Sequence, residues 1–134
     1  MMVGLPPDLD DVLEVAWQKT RRVPGFFTEN AARFLGILVA CAPAEGAIVE
    51  VGSFKGKSTV MLASVAAHYG RGPVVAIDPH TAPSATDPRI AAGSSKFEEF
   101  LVSVRTAGLA ERVETHRAFS RDVAKGWNQP IRLL

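Results

Sequence analysis

The sequence predicts an α/β protein built on a doubly wound parallel sheet, and three segments carry that prediction. Ala47-Ile48-Val49-Glu50-Val51-Gly52-Ser53-Phe54-Lys55-Gly56-Lys57-Ser58-Thr59 runs from a short apolar stretch with an acid near its end, through a glycine turn, to a hydroxyl pair opening a helical pattern. That is a strand, a tight turn and a helix N-terminus, the geometry that receives small polar ligands in open α/β sheets. Pro73-Val74-Val75-Ala76-Ile77 reads as a second buried strand, with Asp78 at its C-terminal end. Glycine turn, helix, strand and terminal acid follow the order of a mononucleotide-binding βαβ unit, in which the acid is placed to hold ribose hydroxyls. Ile131-Arg132-Leu133-Leu134 reads as the beginning of a fourth strand. In a doubly wound sheet the first three strands lie in the order 3-2-1, and the fourth pairs on the other side of strand one.

The remaining elements follow from periodicity and punctuation. Asp8 to Thr20 is expected to be helical, with Leu9, Val12, Leu13, Val15, Ala16 and Trp17 too dense for an exposed face. Arg21-Arg22-Val23-Pro24-Gly25 breaks it. Thr28 can cap a second helix reaching about Ala42, with Ala31, Phe34, Leu35, Leu38 and Val39 at core spacing. Pro43-Ala44-Glu45-Gly46 turns into the first strand, and Ser58 to Tyr69 forms the helix after the glycine turn. That helix is apolar almost all round and should lie against the sheet. His80 to Ser95 is a loop rich in Pro, Ser, Thr, Ala and Gly. Lys96 to Ala107 is a further helix with Phe97, Phe100, Leu101 and Val104 on one face and Gly108 as its C-cap. Arg112 to Arg117 reads as the third strand, and Asp122 to Trp127 as a short helix.

Composition sets the outer bounds. The 134 residues fit one domain, and 47% hydrophobic content is ample for a core. No run of about 18 apolar residues points to a membrane span, and Met1 to Asp11 lacks a basic n-region and an apolar h-region. Cys41 is the only cysteine, so neither an internal disulfide nor a cysteine metal cluster can form. With 15 basic and 14 acidic residues scattered along the chain, there is no basic stripe of the nucleic-acid kind. The expectation is a cytoplasmic protein that engages neither nucleic acid nor membrane. Because four residues cover only part of strand one's edge, the chain is expected to be the N-terminal part of a longer protein, and homo-oligomerisation through the open edge is a further expectation.

Glu50-Val51-Gly52-Ser53-Phe54-Lys55-Gly56-Lys57-Ser58-Thr59 resembles motif I of class I S-adenosylmethionine-dependent methyltransferases, in the E-x-G-x-x-x-G-x-S form of the catechol-type and related bacterial O-methyltransferases. Val75-Ala76-Ile77-Asp78-Pro79-His80 is similar to motif II, and the stretch from Val113 to Asp122 is similar to the family's third strand and following loop. The resemblance implies a Rossmann-like doubly wound sheet, cut short at the start of strand four. It divides the chain into an N-terminal helical extension, 1–27, and an S-adenosylmethionine-binding domain, 28–134.

It also implies roles. Gly52, with Ser53, Phe54 and Gly56 in the same loop, would let the backbone approach the methionine moiety. Glu50 would accept from the methionine ammonium, and Ser58 would donate to the methionine carboxylate at the helix N-terminus. Asp78 would bind the ribose hydroxyls, with Pro79 and His80 beside it. Ser120 and Arg121 match the pair that flanks adenine. Ala118 departs from the glycine common there, and Phe119 stands where many relatives carry an acid, so adenine is expected to be held by stacking and backbone contacts. The implied activity is methyl transfer to oxygen on a small molecule or sugar. Catalytic residues, and the ligands of any divalent metal, would lie beyond Leu134; no metal site is expected within the chain.

Three rival classes can be weighed. A phosphate-binding loop, G-x-x-x-x-G-K-[ST], needs four residues between its glycines, whereas Gly52 and Gly56 enclose three. Glu50 would also set a carboxylate beside an anionic ligand. The dinucleotide pattern G-x-G-x-x-G fails because Phe54 occupies its second glycine. A catalytically degenerate binding module on the same scaffold is the third class, and the retained Glu50 and Asp78 argue against it. Among single residues, His68 and His116 are expected to be structural, Lys55 and Lys57 solvated, and Trp17 with Phe26-Phe27 to serve packing.

Overall fold

The computed structural model describes residues 4–81 and 96–134 of the chain. Its elements are α1 (Leu9–Thr20), α2 (Glu29–Cys41), β1 (Ala47–Val51), α3 (Lys57–His68), β2 (Val74–Ile77), α4 (Lys96–Thr106), β3 (Val113–His116), α5 (Ser120–Ala124) and β4 (Ile131–Leu133). The strands are parallel and lie in the order β3-β2-β1-β4. This is the doubly wound order expected from the βαβ reading. Most of the loop expected over His80–Ser95 lies outside the described residues.

Side chains alternate across each strand, so the sheet has two unlike faces. Ile48, Val74 and Ala76 join one large core with α1, α2, α3 and α4, centred on Met61, Val60, Val65 and Phe100. Ala47, Val49, Val75 and Ile77 form a smaller cluster on the other face, against Val123 and Trp127. β2 is buried along its whole length, as a parallel strand covered on both faces must be.

The core faces of the first two helices differ from expectation. On α2 the buried residues are Ala32, Gly36, Val39 and Ala40, while Phe34 is 61% exposed. Small side chains won over large ones because α1 and α3 pack too closely for bulk. A Cβ on Gly36 would stand 2.3 Å from Leu13 Cδ2 and 3.1 Å from Met61 Cε. On α1 Val15 faces solvent and Thr20 is buried, its hydroxyl donating to the Ala16 carbonyl at 2.8 Å. α5 starts two residues before the expected Asp122, because extended Phe119 acts as N-cap and its carbonyl accepts from the Asp122 and Val123 amides. A 3-10 turn at Ala110–Arg112, unforeseen, leads into β3.

Arg132 fixes where β4 lies. It is buried, and its guanidinium donates to the carbonyls of Val39 (3.2 Å), Ala40 (3.4 Å) and Ala44 (2.6 Å). A buried charge thus satisfies carbonyls that the last turn of α2 leaves without partners. β4 pairs with Ala47 and Ile48 at the start of β1, with a register shift between them.

Candidate functional site

The site is built where β1 and β2 end. Gly52 follows β1 with φ of +90°, and its amide donates to the Ile77 carbonyl at 2.9 Å, which ties the loop to β2. A Cβ built there meets nothing within 4 Å. The backbone therefore borders open space on which a ligand could rest, in a conformation that disfavours any side chain. Gly56, also left-handed at +88°, caps α3, but its Cβ would stand 3.1 Å from the Phe100 ring. A side chain at Gly56 would thus press on Phe100 of α4 and occupy a left-handed conformation that disfavours it.

Glu50 is the last inward-facing residue of β1 on the helical side. Its carboxylate accepts from the hydroxyls of Ser58 and Thr59 in the first turn of α3. Ser53 Oγ is buried close by and makes no hydrogen bond of ordinary geometry. Burial pushes the Glu50 carboxyl above its ordinary range, the nearby hydroxyls pull it back, and the charge of Asp78 adds to the rise. Thr59 is a residue that sequence reasoning missed as a partner, although its place in the hydroxyl pair is a visible signal. Ser58 has one proton and directs it to Glu50. A ligand carboxylate would instead meet the first-turn amides of α3, which have no intrahelical partners.

Asp78 stands at the mouth of β2. Its Oδ2 accepts from the Phe54 amide at 2.8 Å and its Oδ1 from the His80 amide at 2.7 Å. A carboxylate has about four acceptor positions, so both oxygens keep capacity for hydroxyl donors. Asp78 thereby locks the loop after β1 to the segment after β2. Pro79 is half-buried between them. His80 turns inward. Its ring is buried beside Phe97 and Phe100, with centroids 5.1 and 5.4 Å away, and Nδ1 finds no partner. Burial holds the imidazole below its ordinary value, Asp78 opposing and Arg117 assisting. Its φ of +51° is the left-handed form, uncommon outside glycine.

Phe119, Ser120 and Arg121 lie apart from this cluster. Phe119 is exposed, with the Arg121 guanidinium 4.9 Å from its ring centroid. Ser120 and Arg121 line an apolar cleft of about 590 Å³ on the opposite face of the sheet, with Val51, Ile77, Trp127 and Ile131. Among the described residues, no hydrogen bond or ion pair joins these three to Glu50 or Asp78. A polar depression of about 500 Å³ at the other end of the strands, around Arg71 and Arg112, contains none of the predicted site residues. Nor do three or more His, Cys, Asp or Glu side chains among the described residues group to hold a metal ion. No described helix is long and apolar enough to cross a membrane.

Two parallel strands, β1 and β2, joined by a glycine turn and a helix and carrying Glu50 and Asp78 near their C-terminal ends, define a Rossmann-like sheet. The chain belongs to the methyltransferase-domain family, whose model matches residues 49–134. Two solved structures share the fold. One is a putative O-methyltransferase from Klebsiella pneumoniae, with 20% identity, TM-score 0.56, and coverage of 95% of this chain and 50% of the other. The second is cofactor-bound Rv0187 from MTB, with 22% identity, TM-score 0.56, and coverage of 94% and 57%. The chain thus spans about half the length of these structures. No curated protein matches the sequence.

Proposed function

We propose that this chain carries the S-adenosylmethionine-binding part of a methyltransferase that transfers the methyl group to oxygen on a small acceptor. The observation that carries the reading is the pair of carboxylates, Glu50 and Asp78, flanking the open backbone at Gly52. The donor set fits that cofactor. Glu50, oriented by Ser58 and Thr59 and largely removed from water, suits an ammonium, since low dielectric strengthens the attraction. Ser53 Oγ is a buried polar atom with capacity to spare. Asp78 offers acceptors for a ribose diol. When bound, S-adenosylmethionine supplies an electrophilic methyl on a sulfonium; the protein contributes position and electrostatics.

Calorimetry with S-adenosylhomocysteine tests this. Binding of that ligand, with little binding of ATP or NAD, is expected. Asp78→Ala should weaken it by about 10–150-fold, the worth of about 1.5–3 kcal/mol for a lost charged acceptor. Tighter binding of ATP, or an Asp78→Ala affinity within twofold, would contradict the reading.

A further inference from the structure

Phe54 is both part of the loop over Asp78 and the centre of a separate cluster. Its backbone is left-handed, at φ of +48°, and its amide is held by Asp78, which sets the ring beside the proposed cofactor site. The Phe26 ring lies nearly parallel to it, with centroids 6.0 Å apart and planes 15° from each other. Two ammonium groups stand near the same ring: Lys55 Nζ at 5.5 Å and Lys96 Nζ at 5.8 Å from its centroid.

The two lysines are not equivalent. Lys55 is neutralised by Glu99 at 2.8 Å, while Glu98 is exposed. Lys96 is 8% exposed, and among the described residues no carboxylate pairs with it. Three effects work against a cation in that place. It is largely removed from water. It is the first residue of α4, where the helix dipole favours negative charge. A second ammonium, Lys55, shares its aromatic neighbour. The contact with the Phe54 face offsets only part of this. An anion brought to Lys96 would relieve all three.

We propose that Phe54, Phe26 and Lys96 form an acceptor subsite for a planar aromatic molecule bearing a carboxylate, the ring lying against the phenylalanines and the carboxylate meeting Lys96. This names a substrate class for the site and rests on the methyltransferase reading only for the word acceptor.

The test is titration of the chain with 4-hydroxybenzoate and its uncharged analogue 4-hydroxybenzamide, each with and without S-adenosylhomocysteine. The carboxylate should bind about tenfold or more tightly than the amide. Lys96→Gln should abolish that preference while S-adenosylhomocysteine affinity stays within about twofold, and Lys96→Arg should keep it. Equal affinities, no binding of the benzoate, or a preference that survives Lys96→Gln would overturn the proposal. The wild-type comparison alone decides it if the variant fails to fold. Failure of S-adenosylhomocysteine to bind would instead count against the proposed function, and the benzoate preference would still be readable without it.

Discussion

Glu50 carries a cost that its surroundings only partly offset. Burial raises its proton affinity, so the folded chain holds a proton there more readily than the unfolded chain does. Stability should therefore fall as pH rises above the ordinary carboxyl value of 4.5. Glu50→Gln removes that penalty. Its melting temperature should exceed wild type by a margin that widens from pH 4.5 upward, while S-adenosylhomocysteine affinity drops about tenfold or more. A margin that stays flat across that range would show that burial does not govern this carboxyl. His80 has the opposite sign. Its folded form resists protonation, so stability is lost as pH falls below 6.5, where the unfolded chain takes up a proton that the buried ring refuses. Melting curves of His80→Phe should show a shallower acid slope than wild type; an identical slope would mean that another group sets it. The acids at the ends of β1 and β2 were legible because a glycine turn and a strand end mark them. The burial of His80 was not, since it depends on Phe97 and Phe100 in α4, well separated from it in sequence.

Between elements, the decisive contacts join residues far apart in sequence. Arg132 reads as a polar interruption in a short strand, yet it donates to α2 carbonyls up to 93 positions away. Its loss would leave those carbonyls buried and unpaired. Arg132→Met, which keeps the apolar stem, should destabilise the chain by about 1.5–3 kcal/mol, measured by urea unfolding. A change below about 0.5 kcal/mol would show that water replaces the guanidinium. The same logic explains the misjudged face of α2. Spacing alone favoured Phe34, but the pattern of Ala32, Gly36 and Ala40 marks a close helix crossing, and only the positions of α1 and α3 reveal it. Lys96 at the head of α4 gives no sign in sequence of its place above Phe54, because that contact is made by the loop after β1.

At the scale of the whole molecule, strand order was readable because a βαβ unit has one favoured hand and a fourth strand one open edge to join. The placement of Ser120 and Arg121 was not. Ser120 and Arg121 follow β3 in the expected place, but they border a cleft on the face opposite Glu50 and its hydroxyl partners. The two faces can be told apart in solution. Amide chemical shifts of the chain titrated with S-adenosylhomocysteine test the account most directly. The largest changes should fall at Gly52 to Phe54, the first turn of α3, and Asp78 to His80. Changes confined to the cleft lined by Ser120, Val123 and Trp127, or no changes at all, would contradict a cofactor site built on Glu50, Gly52 and Asp78.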